Sequence, residues 1–268
     1  MIVGVVQLSS QDDVPRNLAR VAELVAECAR KGAELVVLPE NFAFMGEEAQ
    51  KIAITERLEP GGPILRAVAE CARKHGIFIV AGGMPTRSDE ALRPYNTSAL
   101  VGPDGAVLAR YHKAHLFDVA LPDGTSLSES QATTPGDGSL VVADVRGVPV
   151  GMAICYDLRF PEMFRLLGAR GARVVTVPSA FTVTTGKDHW HVLLRARAIE
   201  NQVYVVAAAQ CGRHPRGRQT YGKSLIIDPW GDVVAQVSDG EGVATATIDL
   251  AFQDRVREAL PCLTHRRM

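Results

Sequence analysis

Short apolar runs alternate with amphipathic segments along most of this chain, and this alternation limits the folds that are open to it. In residues 16–31 the apolar side chains recur at helical spacing, and the run AELVVL that follows is typical of a buried strand. Such alternation indicates an α/β protein. With 268 residues, 47% of them hydrophobic, the chain is long enough to bury a large core, and we expect a single domain over residues 1–268.

One helix-to-strand unit occurs twice in similar form. The segments AECARKGAELVVLPEN and RLLGARGARVVTVPSA each end a helix, pass through Gly-Ala into a Val-rich strand, and reach Pro and a polar turn. This similarity indicates two related halves packed together, although ordinary α/β units give the same short matches. The comparison places Glu40 and Ser179 at equivalent strand ends, where open α/β sheets bind their ligands.

Two turn sequences predict β-hairpins. In NTSALVGPDGAVLARY, Pro-Asp-Gly separates two apolar runs, and SLIIDPWGDVVAQV has the same form. Hairpins introduce antiparallel pairing, so the sheets are expected to be mixed rather than purely parallel.

Cys155 stands where an apolar run, residues 148–154, changes abruptly into Cys-Tyr-Asp and a helix that begins at a proline. A side chain at such a turn projects from the sheet edge, and neighbouring N–H groups can face a developing oxyanion. A cysteine nucleophile acts as the thiolate, so a base or a positive charge must lie nearby. On local sequence alone, a packed core thiol explains Cys155 as well as a nucleophile does.

Two further segments offer the missing groups: LPEN contains Glu40, and YHKAHLFD contains Lys113. Together with CYDLRFPE after Cys155, they resemble the nitrilase superfamily of carbon-nitrogen hydrolases, whose catalytic set is Glu, Lys and Cys in this chain order. The resemblance covers nearly the whole chain. It implies an α/β fold of the nitrilase type, a four-layer α-β-β-α sandwich with mixed sheets. It also implies amide hydrolysis through a thioester on the cysteine, with no cofactor.

The family mechanism gives each matched residue a role. Glu40 is implied to act as general base, and Lys113 to stabilise the tetrahedral oxyanion together with the backbone N–H of Tyr156. Glu129, in SLSESQATTPGD, matches the second glutamate of the family, which lies beside the lysine and helps to hold the substrate. Ammonia or an amine leaves first, and water then releases the acid from the thioester on Cys155.

The substrate is implied by a narrower resemblance. The segment HWHVLLRARAIENQVYVVAAAQCGRH resembles amidases that convert deaminated glutathione to 2-oxoglutarate and Cys-Gly, whereas FTVTTGKDHW fits these and the ω-amidases that act on 2-oxoglutaramate. Another small-amide or nitrile hydrolase is a further alternative. The substrate-binding candidates are Arg159, Phe181, Thr182 and Thr184.

A 2-oxo acid needs a cationic or N–H-rich anchor for its carboxylate. Arg159, Arg195 and Arg197 are candidates, with threonines 182, 184 and 185 as neutral donors. The two helix arginines could equally form a structural ion-pair set with Glu200.

Several classes of function are disfavoured. The net charge of −1, with no basic run before Arg266, argues against a nucleic-acid partner. No apolar stretch reaches the roughly 18 residues that span a bilayer, and no signal sequence is recognisable, so we expect a cytoplasmic protein. The histidines lack metal-ligand spacing, so no metal is expected. A serine hydrolase would need a G-x-S-x-G turn, and this sequence has none. A non-catalytic scaffold would have no use for a buried charged trio, because burying those charges costs stability.

The resemblance also implies self-association. We expect a homodimer, with a tetramer as the larger alternative, formed partly through the helix in RFPEMFRLLGARG. This helix offers Met163, Phe164, Leu166 and Leu167 as an apolar face.

Overall fold

Helices and strands alternate in the computed structural model, which describes residues 1–121, 124 and 126–267. The helices are α1 (Val14–Arg30), α2 (Pro63–His75), α3 (Pro161–Ala169), α4 (Val183–Asn201) and α5 (Leu250–Ala259). The first strands are β1 (Ile2–Gln7), β2 (Leu35–Val37), β3 (Phe78–Thr86), β4 (Tyr95–Val101), β5 (Val107–His112), β6 (Asp118–Ala120), β7 (Ser126–Ser128) and β8 (Val142–Val145). The others are β9 (Val148–Met152), β10 (Val174–Thr176), β11 (Tyr204–Ala207), β12 (Cys211–Arg213), β13 (Gln219–Tyr221), β14 (Leu225–Ile227), β15 (Val233–Gln236) and β16 (Gly242–Thr247).

The strands of the described residues form two six-stranded mixed sheets and two short hairpins. The sheet orders are β16-β1-β2-β3-β4-β5 and β8-β9-β10-β11-β14-β15, and the hairpins are β6-β7 and β12-β13. In each sheet the second, third and fourth strands are parallel and the outer pairings are antiparallel. Both sheets therefore follow one plan, which confirms the two related halves, and β4-β5 and β14-β15 are the hairpins predicted from sequence.

Alternate residues of β2 show how the layers stack. Leu35 and Val37 lie in one core with the strands of the second sheet, whereas Val36 and Leu38 lie in another with α1 and α2. Strand side chains alternate between faces, so the first sheet has helices on one side and the second sheet on the other. The second sheet is covered in turn by α3 and α4, and the order is helix, sheet, sheet, helix, as the family resemblance implied.

Close helix-to-strand contact requires small residues in the first parallel strand of each sheet. A Cβ on Gly4 of β1 would lie 2.9 Å from Cys28 Sγ in α1, closer than real contacts allow. At the corresponding position in β9, a Cβ on Gly151 would lie 3.4 Å from Leu167 Cδ1 in α3. Both glycines let a helix approach its sheet closely, which supports the equivalence of the halves.

Helix α4 begins at Val183, because Thr182 caps it by accepting from the Thr185 N–H. One sequence interpretation, the apolar association face of α3, needs correction. In α3, three residues of the predicted apolar association face point into the protein's own core: Met163, Phe164 and Leu167 are buried. Only Leu166 of that set is exposed.

Over residues 1–121, 124 and 126–267, no helix combines the length and the apolar character needed to cross a membrane.

Candidate active site

Cys155 begins a short 3-10 turn, residues 155–159, just beyond the end of β9. Its φ of +47° is a left-handed conformation, which costs a non-glycine residue free energy and recurs at functional turns. The Cys155 N–H donates to the Pro178 carbonyl at 2.8 Å, so the turn is fixed to the segment that follows β10. This geometry is the strand-to-turn placement expected for a nucleophile.

Asp157 holds this turn from inside the protein. Its carboxylate accepts from the Ile154 N–H and from the Tyr111 hydroxyl, each at 2.8 Å, and lies 2.7 Å from His115 Nδ1. The side chain is fully buried, so these bonds are needed to offset its desolvation. Asp157 therefore ties Ile154, the residue before Cys155, to Tyr111 in β5 and to His115 in the segment after β5.

Glu40 lies just beyond the end of β2, and its carboxylate is buried. Glu40 Oε1 accepts from Lys113 Nζ and from Asn96 Nδ2, each at 2.9 Å, while its backbone carbonyl accepts from Gln210 Nε2 at 3.0 Å. The next residue, Asn41, has a φ of +61° and donates its N–H to the Gly83 carbonyl at 2.9 Å. The turn after β2 therefore directs the acid inward, and Glu40 is not the surface turn residue that its sequence position also permits.

Glu129 completes a buried ion-pair trio with Glu40 and Lys113. Lys113 Nζ lies 2.8 and 3.1 Å from the two carboxylate oxygens of Glu129, one of which also accepts from the Phe117 N–H at 2.8 Å. Asn96 Nδ2 lies 3.2 Å from the other oxygen. The four residues predicted as catalytic, Glu40, Lys113, Glu129 and Cys155, thus converge at one end of the two sheets.

The charges of the trio support one another. Burial opposes the charge on Lys113, but the carboxylates of Glu129 and Glu40 outweigh it and hold the pKa of this ammonium well above its usual value. Burial likewise opposes the charge on Glu129, yet Lys113 prevails and lowers the pKa of that carboxyl. Lys113 is therefore a fixed cation between two acids.

Cys155 is held in its neutral form. Burial, and then the negative charge of Glu40, raise the pKa of the Cys155 thiol well above its usual value, against smaller lowering effects of Lys113 and the Ala180 N–H. A thiol in this state needs a base to take its proton at the moment of attack. The carboxylate of Glu40, whose charge acts on the thiol and which lines the same cavity, is the acid available for that role.

The trio and the thiol line a small inner cavity of about 50 Å³, which adjoins a larger outer cleft of about 730 Å³. Both compartments have Glu48, Leu127 and Arg218 in their walls, so they meet at these side chains. A small reacting group can thus be enclosed while a larger remainder extends outward.

The predicted substrate-binding residues separate into two groups. Thr182 and Thr184 line the outer cleft. Arg159 instead lies over the Phe181 and Tyr156 rings, at 5.4 and 5.9 Å, and neither Arg159 nor Phe181 is part of the wall of the cavity or the cleft. Tyr156, predicted to supply an oxyanion N–H, follows Cys155 in the same turn.

The helix arginines have structural partners. Arg197 donates to the Leu158 carbonyl at 2.8 and 3.0 Å and pairs with Glu200 at 3.1 Å. Arg195 donates to the Gly231 carbonyl at 2.7 Å. Arg197 therefore forms the ion pair with Glu200 that was predicted as the structural alternative, whereas the partner of Arg195 is a backbone carbonyl instead of Glu200.

Sequence reasoning missed four residues of the site: Asn96, Glu48, Lys51 and Arg218. Asn96 begins the predicted hairpin strand after Tyr95, and its position beside a turn gave no reason to single it out. The other three come from a 3-10 helix and a short hairpin far apart in sequence, which only the tertiary fold brings together. No group of three His, Cys, Asp or Glu side chains in the part of the chain that the structure describes could hold a metal ion.

Comparison with known proteins places the chain in a family. A sequence model of the carbon-nitrogen hydrolase family matches residues 2–258. The chain therefore belongs to the carbon-nitrogen hydrolase family, and is an enzyme of that class.

Among its relatives, the chain is 45% identical to a deaminated glutathione amidase from Synechocystis sp., over 99% of this chain and 97% of that protein. The solved structure of the C. elegans NitFhit protein matches with a TM-score of 0.92 at 40% identity, covering 99% of this chain and 65% of that longer one. Saccharomyces cerevisiae Nit3, described as a member of branch 10 of the nitrilase superfamily, matches with a TM-score of 0.90 at 31% identity, covering 100% of this chain and 97% of that one. These matches confirm the superfamily and the fold expected from the three motifs.

Proposed function

We propose that this protein is an amidase that cleaves a linear amide through a thioester on Cys155, as one domain and without a metal or cofactor. The observation that carries the proposal is the position of Lys113 Nζ, 2.9 Å from Glu40 and 2.8 Å from Glu129, in the wall of the same cavity as the Cys155 thiol. A buried cation between two acids and beside a neutral thiol is costly to fold and suited to acyl transfer.

The first half-reaction forms the acyl-enzyme. Glu40 takes the proton of the Cys155 thiol as the sulfur attacks the carbonyl carbon of the amide. Negative charge moves to the carbonyl oxygen, where Lys113 and the Tyr156 N–H stabilise it. The C–N bond then breaks, and the leaving nitrogen receives the proton from Glu40. Glu129 keeps Lys113 charged and in position throughout.

The second half-reaction releases the acid. Glu40, again a carboxylate, takes a proton from a water molecule as the water oxygen attacks the thioester carbonyl. The same oxyanion groups stabilise the second tetrahedral intermediate. Its C–S bond then breaks, which releases the acid, and the Cys155 sulfur takes the proton from Glu40. One carboxylate thus serves both halves as base and acid.

Deaminated glutathione is the proposed substrate, with 2-oxoglutarate and Cys-Gly as products. Support comes from the similarity to the amidase named for that substrate and from the outer cleft of about 730 Å³, which offers room for a dipeptide leaving group. Thr182 and Thr184 in the wall of the cleft would supply polar contacts there. The alternative substrate is 2-oxoglutaramate, whose leaving group is ammonia and needs no such space.

The test is a comparison of kcat/KM for deaminated glutathione and 2-oxoglutaramate, with Cys155→Ala as the blank. The exposed thiol of Cys262 provides a matched control, since Cys262→Ala removes a thiol outside the site and leaves turnover unchanged. We expect a large preference for deaminated glutathione. Preference for 2-oxoglutaramate would make the protein an ω-amidase, and turnover by folded Cys155→Ala would exclude the mechanism.

We further propose that the protein works as a cytoplasmic homodimer. Its five free thiols suit a reducing compartment. Support for association comes from exposed apolar side chains on α3 and α4, namely Leu166, Val192 and Ile199. A monodisperse monomer at micromolar concentration in light scattering would contradict the dimer.

A further inference from the structure

A second charged cluster lines the inner cavity beside the trio of Glu40, Lys113 and Glu129. Lys51 Nζ lies 2.7 Å from Glu48 Oε2, and Arg218 Nη1 lies 3.4 Å from Glu48 Oε1. The Lys51 side chain is only 10% exposed, and all three residues are part of the cavity wall. Here two cations share one carboxylate, the reverse of the trio, in which two carboxylates share one cation.

Arg218 also carries an unused hydrogen-bond donor. Its Nε atom is buried and has no hydrogen-bond partner among the residues that the structure describes. A buried donor left unpaired costs free energy, and such groups in a cavity wall are the ones that a ligand satisfies. A guanidinium can offer two parallel N–H groups to one carboxylate, so Arg218 can bind a second anion through the Nε side of its plane.

We propose that Arg218 and Lys51 bind a carboxylate carried by the acyl group of the substrate, so that this enzyme selects amides of dicarboxylic acids over neutral amides. This inference rests on the proposed function, because it names the substrate class of the same site. The cluster itself has two cations against one carboxylate, so its net charge is positive. Because Arg218 lines the same inner cavity as Cys155, an acyl chain bound at Cys155 can reach it.

Glu48 opposes the incoming anion and also makes the anchor possible. Burial disfavours its charge, but Lys51 and Arg218 prevail and lower its pKa, so Glu48 is a carboxylate at neutral pH. In the free enzyme it holds both cations in the cavity wall. Without such a counter-ion, two cations so close together would repel each other and move apart.

Arg159 is the rival anchor. Its guanidinium lies over the Phe181 and Tyr156 rings, and its Nη1 is 3.3 Å from His189 Nδ1. It is part of neither cavity wall, whereas Arg218 is part of both. Arg218 can therefore bind a carboxylate while Arg159 and the Phe181 and Tyr156 rings stay in place.

The test compares two amides that have the same five-carbon chain: 2-oxoglutaramate, which carries an acyl carboxylate, and pentanamide, which is neutral. We expect Arg218→Gln to lower kcat/KM for 2-oxoglutaramate by about 10- to 100-fold, mainly through KM, as befits a lost charge-assisted hydrogen bond. Turnover of pentanamide should change less than about threefold, because this amide has no carboxylate for the anchor to bind. Lys51→Gln should show the same selective loss.

Arg213→Gln is the matched control, because Arg213 is an exposed arginine on the neighbouring strand β12 and loses the same charge outside both cavity walls. It should leave both substrates unaffected. Equal losses on both amides in Arg218→Gln, or a selective loss in Arg159→Gln instead, would overturn the anchor.

Calorimetry with 2-oxoglutarate separates failure of the anchor from failure of the amidase proposal. If the unaltered enzyme hydrolyses neither these two amides nor deaminated glutathione, the proposed function fails. Binding of 2-oxoglutarate that disappears in Arg218→Gln would still establish the anchor, and absence of binding to the unaltered enzyme would overturn it.

Discussion

Asn96 donates its side-chain N–H to Glu40 at 2.9 Å, and so helps to fix the carboxylate of the proposed general base. The same nitrogen lies 3.2 Å from Glu129, so one neutral amide spans the two acids that flank Lys113. The distance between the acids therefore depends on a residue that takes no part in proton transfer.

Replacing Asn96 should impair catalysis according to charge rather than size. Asn96→Ala removes the donor, and we expect kcat to fall about 10-fold, the effect of one lost hydrogen bond to a charged group. Asn96→Asp is nearly isosteric but places a third acid beside Glu40 and Glu129. Its kcat should therefore fall further, and the acid limb of its pH–rate profile should move to higher pH. Steady-state kinetics over pH would contradict this positioning role if the Asp variant were more active than the Ala variant.

Gly83 makes room for this arrangement. A Cβ there would lie 2.3 Å from Asn96 Oδ1 and 2.9 Å from the Glu40 side chain, so Gly83→Ala must displace both. We expect kcat to fall at least 10-fold, with only a small change in the midpoint temperature of thermal unfolding. Gly168→Ala in α3 is the control, because its Cβ would approach nothing closer than 3.8 Å and a helix favours alanine by about 1 kcal/mol. A fully active Gly83→Ala variant would show that the packing around Glu40 is not needed.

Glu40→Gln should separate thiol ionisation from catalysis. The charge of Glu40 is one cause of the raised pKa of Cys155, and Lys113 acts in the opposite direction. Removing that charge should lower the pKa of the thiol, so more thiolate is present at a given pH and alkylation by iodoacetamide becomes faster. Amide turnover should nevertheless disappear with the base. Alkylation rates over pH, corrected with Cys155→Ala, would refute this account if the profile of the variant stayed in place or moved upward.

Lys113→Met should cost stability as well as activity. Removing one partner of a buried ion pair costs about 3–5 kcal/mol, because the acids on either side lose their counter-ion. Glu129 has a lowered pKa in the folded protein, so its pairing stabilises above its unfolded pKa and is lost as pH falls through the folded value. Denaturant unfolding should therefore show a large difference near neutral pH that shrinks in acid.

The control for that experiment is Lys31→Met, which removes an exposed ion pair with Glu27 of 3.5 Å. Exposed pairs contribute about 0–1 kcal/mol, so its unfolding should change little. Equal destabilisation of the two variants would show that the buried trio contributes no more to the free energy of unfolding than an exposed ion pair does.

The strand ends could be predicted from sequence because they depend on local signals. Val-rich runs that stop at Pro and a polar turn located Glu40 and Ser179 at equivalent positions, and both sheets do share one order. The three motifs predicted as catalytic needed no tertiary information, because each follows a strand: Glu40 follows β2, Lys113 follows β5 and Cys155 follows β9.

The residues that were missed depend on packing between distant segments. Lys51 comes from a 3-10 helix after β2, and Arg218 from the turn of the hairpin β12-β13; neither has a periodic pattern. The inward-facing residues of α3 were misassigned for a related reason, because an apolar stripe shows that a helix face is covered but not what covers it. The helix-capping role of Thr182 was missed, because the several threonines in this segment are also typical of a loop.

The neutral, enclosed state of Cys155 bears on how long such an enzyme survives in use. Disulfide exchange and oxidation by peroxide both proceed through an accessible thiolate. A thiol that is 7% exposed and ionises only well above its usual pH range resists mixed disulfides and sulfenic acid between catalytic cycles. The proposed nucleophile is thus protected from oxidation, and the exposed Cys262 is the thiol that meets oxidants first.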